Sequence, residues 1–219
     1  LRCTQPLRKR DQRIGRKKRH VRRLVEAEIA PDVFAIGVGA ESLEAQVEAL
    51  LAAPDVETPL GLRDRAMLEL LYASGLRVSE LVSLKTVHVS FVECALRVTG
   101  KGAKERLVPF GEEALRWIER YVAEARPAIL GRRTSDALFV TGLGGPMTRQ
   151  MFWKLLKADA LKAGIAAPLS PHTLRHAFAT HLLNAGVPLE VLKELMGHHS
   201  LHQTLRYAQL YDTTKRQQY

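Results

Sequence analysis

The hydrophobic pattern of this 219-residue chain departs from helical spacing in one stretch, between residues 87 and 109. On both sides of that stretch, apolar residues recur at the three- and four-residue intervals of amphipathic helices. Within it, the segments VHVSF, CALRVT and ERLVP have the composition and length of short strands. Gly100–Lys101–Gly102 predicts a tight hairpin between the last two. The pattern therefore predicts a mostly α-helical (α+β) domain with a small three-stranded antiparallel sheet.

Helix signals surround the predicted sheet. The first helix begins near Ser42, and a face of leucine and valine repeats up to the interruption at residues 54–59. Gly75 fits the residue that ends the second helix, while Ser170 and Pro171 fit the N-cap and first position of a later one. Gly197 is expected to stop the last well-marked helix. The further helices are predicted at about 62–73, 78–84, 111–125, 148–163, 170–184 and 188–197, with a helical remainder through 207.

Charge is concentrated at the start of the chain. Residues 1–23 hold eleven Lys and Arg and one acid, Asp11, so they carry the whole net charge of +10. The remaining residues contain 22 basic and 22 acidic side chains. A polyanionic partner is plausible for this tail, because neutralised phosphates release counterions, and the alternative is a basic arm without that role. Residues 1–40 are thus expected to form a basic, disordered arm and linker, and residues 41–219 the folded domain.

Cysteine content and hydropathy point to one compartment. Cys3 and Cys94 are too few for a disulfide framework, and they fit a reducing cytoplasm better than secretion. No run of about 18 apolar residues is present, and the basic N-terminus lacks the apolar core of a signal peptide. The sequence therefore predicts a cytoplasmic protein without a membrane partner.

The run SPHTLRHAFATHLLNAGVPLEVLKELMGHHSLHQTLRYAQLY, residues 170–211, concentrates reactive side chains. Arg175 is a strong cation, His172 and His198 carry imidazole rings, a type of group that ordinarily titrates near neutrality, and Tyr207 carries a phenol. His172 and Arg175 are three residues apart on a predicted helix and therefore share a face. This set suits the transfer of a phosphoryl group to a side-chain oxygen.

A zinc site is the alternative for the same helix, because His172 and His176 have the i, i+4 spacing of a metal-binding pair. Thr173 occupies the place of the glutamate in H-E-x-x-H, and Arg175 would put a cation beside the metal. Both features disfavour zinc.

Two basic residues upstream lie in well-formed local motifs. Arg77 lies in SGLRVSEL, where Glu80 can hold its guanidinium group in a fork. Lys101 lies in VTGKGAKERLVP, at the predicted hairpin tip. Taken alone, the first motif is an ordinary helix-surface ion pair and the second an ordinary solvated lysine.

Taken together, the blocks GLRVSEL, GKGAKERLVP, HTLRHAFATHLL, MGH and RY resemble, in order and spacing, the tyrosine recombinases, or phage-type integrases. The likeness is to XerC/XerD-like catalytic domains and spans about residues 42–211. The resemblance implies that Arg77 and Arg175 clamp the phosphate and that Tyr207 is the nucleophile. It implies that Lys101 is the general acid for the leaving 5′ oxygen and that His172 is the general acid/base. His198 is implied as a further phosphate-contacting residue.

The implied activity is site-specific DNA recombination. One strand of double-stranded DNA is cut, a 3′-phosphotyrosyl link forms, and the link is transferred to another 5′ hydroxyl. Because the ester stores the bond energy, no cofactor, ATP or metal is expected. The spacing from His198 and the RYAQL context favour Tyr207 over Tyr211 as nucleophile.

The partners implied are double-stranded DNA and further recombinase protomers, in a homo- or hetero-tetramer on DNA. Residues 1–40 do not resemble the core-binding domain of the family, and only twelve residues follow Tyr207. Two alternatives therefore stay open. Besides a recombinase, the chain could be an inactive, truncated DNA-binding remnant of an integrase, or a type IB topoisomerase-like nicking and closing enzyme.

Overall fold

A computed structural model describes residues 43–100, 105–165, 169–198, 200 and 204. Helices precede and follow one small sheet, which confirms the predicted fold class. The elements before the sheet are α1 (Leu43–Ala52), α2 (Pro59–Ser74), α3 (Val78–Val82) and a 3₁₀ turn (Thr86–His88). The sheet consists of β1 (Val89–Ser90), β2 (Ala95–Thr99) and β3 (Glu105–Pro109). After it come α4 (Glu112–Arg120), a π-helical turn (Tyr121–Ala125), α5 (Arg126–Leu130), α6 (Arg149–Lys162), α7 (Pro171–Asn184) and α8 (Leu189–Met196).

Helix α2 is the central element, because it packs against α1, α4, α5 and α7. It begins three residues before the predicted start at Leu62, since Thr58 caps it. The Thr58 hydroxyl accepts the Gly61 N–H at 3.1 Å, and Pro59 occupies the first turn. The helix ends at Gly75, as predicted, in a left-handed conformation with φ +56°.

The sheet is antiparallel in the order β1-β2-β3. Arg106 pairs with Val98, and Glu105 pairs with Thr99 at the hairpin end. The first strand is shorter than predicted, because the 3₁₀ turn takes up residues 86–88, with the His88 N–H donating to the Lys85 carbonyl. Residues 101–104 of the predicted hairpin lie outside the described residues.

The helix predicted at 111–125 extends further, to Leu130. Pro127 lacks an N–H and would normally end an α-helix. The chain instead widens into the π-helical turn before it, and Pro127 then occupies the first turn of α5. The last two helices, α7 and α8, begin and end close to the predicted residues. Ser170 and Thr173 form a reciprocal capping box at the start of α7, and Gly197 ends α8 with φ +61°.

The core has two parts. A large one surrounds α2, and a smaller one joins α7 to α8 through Phe178, Leu182, Leu192, Leu195 and Met196. The second core holds the end of α8 against α7. None of the described helices combines the length and the apolar character needed to cross a membrane. The predicted arm and linker, residues 1–40, lie outside the described residues, as does most of the predicted helical remainder after His198.

Candidate active site

Arg175 joins two distant turns of the chain. It projects from α7 and is only 4% exposed. Its Nη1 donates to the Gly75 carbonyl after α2, and its Nη2 donates to the Met196 carbonyl at the end of α8 at 2.5 Å. The same Nη2 lies 3.2 Å from His198 Nε2. The buried guanidinium group therefore fixes both turns and the histidine that follows α8.

Arg77 lies beside this group, at the N-cap of α3. Its Nη2 donates to the Gly197 carbonyl at 3.3 Å, so Arg77 and Arg175 bind the carbonyls of consecutive residues. The Arg77 side chain is 41% exposed, in contrast to Arg175. The fold thus brings the two predicted clamp residues together, although they are far apart in sequence.

Glu80 is the carboxylate of the cluster and is buried. Its Oε2 accepts the Arg77 backbone N–H at 2.8 Å, and its Oε1 accepts Arg77 Nη1 at 3.1 Å. The predicted fork to Arg77 is wrong in its detail. The two-bond fork goes to Arg106, whose Nη1 and Nη2 donate to the two carboxylate oxygens at 2.8 and 2.9 Å. Burial by itself would raise the pKa of Glu80, but hydrogen bonds and charge from Arg106 and Arg77 lower that pKa below its ordinary value.

Arg106 is the residue that motif reasoning missed. It lies on β3, two residues before the buried Val108, on the same face of the strand. A charged side chain on the inward face of a strand requires a buried partner, which is the signal that could have identified it.

His198 is half-buried and neutral at pH 7. Burial and the nearby guanidinium groups of Arg175, Arg77 and Arg106 lower its pKa to about 4. Arginine only donates, so Nε2 accepts from Arg175. Nδ1 then carries the ring proton and donates to Thr204 Oγ1 at 3.0 Å. These partners therefore assign the tautomer.

Of the other predicted site residues, His172 lies in the described part of the chain and two do not. His172 is exposed in the first turn of α7, and within the described part of the chain no hydrogen bond joins it to Arg77, Arg175 or His198. Lys101 and Tyr207 lie outside the described residues, as does Tyr211. For the zinc alternative, no group of three or more metal-binding side chains occurs among the described residues.

The cluster is a candidate anion site. Three guanidinium groups and one ionised carboxylate give these four side chains a formal charge of +2, with the imidazole neutral. Guanidinium donors match phosphate oxygens in pairs and remain charged at any physiological pH. Such an arrangement can bind a phosphodiester and stabilise the charge that develops when it is attacked.

Comparison with known proteins gives consistent matches. The model of the phage integrase family matches residues 43–214. The tyrosine recombinase XerD of Ralstonia nicotianae is 64% identical over 165 residues, covering 75% of this chain and 54% of the relative. The XerD of Pseudomonas aeruginosa is 58% identical over 167 residues, covering 76% of this chain and 56% of the relative. The chain spans about half the length of these curated relatives.

Solved structures agree in fold. The crystal structure of XerA recombinase superposes with a TM-score of 0.71 at 29% identity, covering 84% of this chain and 63% of XerA. XerH bound to its difH substrate superposes with a TM-score of 0.66 at 24% identity, covering 78% of this chain and 49% of XerH. Since the family model covers most of the chain, the chain belongs to the phage integrase family, the family of the tyrosine recombinases.

Proposed function

We propose that residues 41–219 are the catalytic domain of a site-specific DNA recombinase that works through a 3′-phosphotyrosyl intermediate. The observation that carries the proposal is the pair of guanidinium groups held by the carbonyls of Met196 and Gly197, beside a neutral imidazole. The XerD relatives are tyrosine recombinases, and the solved structure of XerH contains a difH substrate. Double-stranded DNA is the substrate we infer for this chain.

In the proposed cleavage step, the Tyr207 oxygen attacks phosphorus and the bond from phosphorus to the 5′ oxygen breaks. A phenol is mostly neutral at pH 7, so His172 is assigned as the acceptor of its proton. The guanidinium groups of an arginine pair do not release protons, so Lys101 is assigned as the acid for the 5′ oxygen.

Arg77 and Arg175 are assigned to the non-bridging oxygens, with His198 as a further contact. Losing one such donor typically costs about 3–4 kcal/mol of transition-state stabilisation. In rejoining, a 5′ hydroxyl attacks the phosphotyrosyl bond and the tyrosine recovers its proton. The number of phosphoester bonds is unchanged over the cycle, so no external energy source is required.

The assembly we propose is a tetramer of identical or related protomers on DNA. Strand exchange between two duplexes requires cleavage of four strands, and each protomer supplies one tyrosine. A DNA substrate and the content of two cysteines support the proposal of a cytoplasmic location.

The test uses a pool of nicked suicide duplexes with randomised arms. After cleavage, the short fragment that carries the new 5′ hydroxyl diffuses away, so the 3′-phosphotyrosyl adduct cannot be rejoined and is trapped. The wild-type chain is expected to form an adduct that survives denaturing electrophoresis. Tyr207→Phe is expected to abolish the adduct, and Tyr211→Phe is the matched control that retains it. An adduct with Tyr207→Phe would refute the assignment of the nucleophile.

Two other outcomes favour the alternatives. Failure of the wild-type chain to form an adduct with any duplex in the pool would favour the inactive remnant. Relaxation of supercoiled plasmid without recombinant products would favour the nicking and closing enzyme.

A further inference from the structure

We propose that Arg106 is a positioning residue for DNA cleavage, which sets the places of Arg77 and His198 through Glu80 and the turn after α8. The inference rests on the proposed function, because it concerns the same site. Arg106 lies within the GKGAKERLVP block but was not predicted as a site residue, and it lies on a strand, whereas the other described site residues lie in helices or next to helix ends.

Arg106 is held on three sides. Both of its Nη atoms donate to Glu80, and its Nε donates to the Leu195 carbonyl at 3.3 Å. Its guanidinium group also lies against Gly197, where a Cβ atom would come within 3.0 Å of Arg106 Cζ. The turn from Leu195 to His198 is therefore in contact with Arg106 at its first and third residues.

The contacts of Arg77 run parallel to these. Arg77 also binds Glu80 with one Nη and the Gly197 carbonyl with the other. Glu80 thus lies between two guanidinium groups, and each of them also reaches the turn that precedes His198. A carboxylate with bidentate partners on one side offers a fixed acceptor to the other, so the Arg106 fork defines where Arg77 lies.

The two arginines differ in exposure. The Arg77 side chain is 41% exposed and that of Arg106 is 17% exposed. Both Nη atoms of Arg106 bind Glu80, whereas Arg77 presents its group to solvent, from which a phosphate would arrive. Because both Nη atoms of Arg106 pair with one carboxylate, its guanidinium charge is already compensated, and this pairing rather than burial favours an indirect role for Arg106.

Arg106 also connects the sheet to the site. It is the second residue of β3, and β3 begins directly after the segment that contains Lys101. Its register partner on β2 is Val98. One side chain therefore ties the strand that follows Lys101 to the carboxylate and the turn that hold Arg77 and His198.

The variants are Arg106→Gln, which removes the charge and the fork, and Arg106→Lys, which keeps the charge. Lysine is a point donor and cannot make the two carboxylate bonds and the carbonyl bond together. A displacement of about 1 Å can slow a reaction by about 100-fold. We expect the single-turnover rate of adduct formation to fall by about 10- to 100-fold in both variants. The same assay uses one duplex, selected from the randomised pool by its adduct with the wild-type chain. The dissociation constant for this duplex is expected to change less than about threefold, since Arg106 is not proposed to bind DNA.

Arg126→Gln is the matched control. Arg126 also binds backbone carbonyls, at Ser135, Ala137 and Leu138, and none of these three residues belongs to the site. This variant is expected to lose melting temperature while keeping its cleavage rate. It therefore separates a loss of fold stability from a loss of positioning.

A double-mutant cycle with Glu80→Gln completes the test. If Arg106 acts through Glu80, the double variant is no slower than the slower single variant. An Arg106→Gln rate within threefold of wild type, a parallel loss of DNA affinity, or additive losses would each overturn the inference. The melting temperatures of the same four proteins test the Arg106–Glu80 coupling without DNA. An inactive wild-type chain would thus refute the proposed function. If the melting-temperature shifts of the two single variants add up in the double variant, this inference is refuted separately.

Discussion

Replacing Gly75 with alanine is expected to weaken the fold and displace Arg175 in a single step. Gly75 ends α2 with φ +56°, and its carbonyl accepts a hydrogen bond from Arg175. A Cβ atom built on Gly75 lies 2.2 Å from Phe178 Cδ1 and 2.5 Å from Cε1. Both distances are far below van der Waals contact. The ring or the turn must therefore move, and the turn carries the carbonyl that holds Arg175.

The magnitude follows from two contributions. A left-handed conformation costs a residue with a Cβ atom about 1–2 kcal/mol. Overpacking against a buried ring costs about 1–3 kcal/mol. The unfolding free energy of Gly75→Ala is therefore expected to fall by about 2–5 kcal/mol, or roughly 4–20 °C in melting temperature for a domain of this size.

Urea unfolding of Gly75→Ala and Gly186→Ala measures the difference. Gly186 also has a positive φ, +76°, and apart from Gly186 and its two chain neighbours no atom of the described residues lies within 4 Å of the place that a Cβ atom would take there. The control should therefore lose only about 1–2 kcal/mol, from the left-handed conformation. Adduct formation is expected to slow at least tenfold for Gly75→Ala alone. Equal losses of unfolding free energy in the two variants would refute the contact with Phe178.

Three further predictions concern the site and the tail. Thr204→Val removes the acceptor of the His198 Nδ1 proton and should lower the unfolding free energy by about 1 kcal/mol, whereas Thr204→Ser should keep it. Equal urea unfolding curves for the two variants would contradict the assigned tautomer. Since the pKa of His198 is lowered from 6.5 to about 4, the unfolded chain binds more protons between these values, and stability is lost as pH falls through that range. His198→Gln should flatten this loss in urea titrations, and an unchanged pH profile would count against the shift. Deleting residues 1–23 should weaken DNA binding and flatten its salt dependence in fluorescence anisotropy, and an unaltered salt slope would make the tail irrelevant.

Local chemistry explains why much of the fold could be predicted. The end of α2 at Gly75, the start of α7 at Ser170 and the end of α8 at Gly197 depend on left-handed glycines and capping side chains. Such signals involve only a few neighbouring residues, so they can be recognised in the amino-acid sequence. A predicted helix boundary was wrong where the structure compensates for a residue that normally ends a helix. Pro127 would normally end a helix, and a π-helical turn accommodates it, so the helical segment continues past its predicted end.

By itself, the sequence determined the order of the main elements, because hydrophobic spacing and capping residues act locally. Its motif blocks determined the family through their resemblance to known members, and the same resemblance implied the candidate site residues. Only the tertiary structure decided which groups hold the site together. The hydrogen bonds from Arg77 to Gly197 and from Arg175 to Gly75 span 120 and 100 residues, and the fork from Arg106 to Glu80 joins a strand to a helix. The protonation of His198 likewise depends on burial and on arginines from three elements. These contacts arise from packing between distant segments, and no local pattern specifies which charged side chains the fold brings within hydrogen-bonding distance.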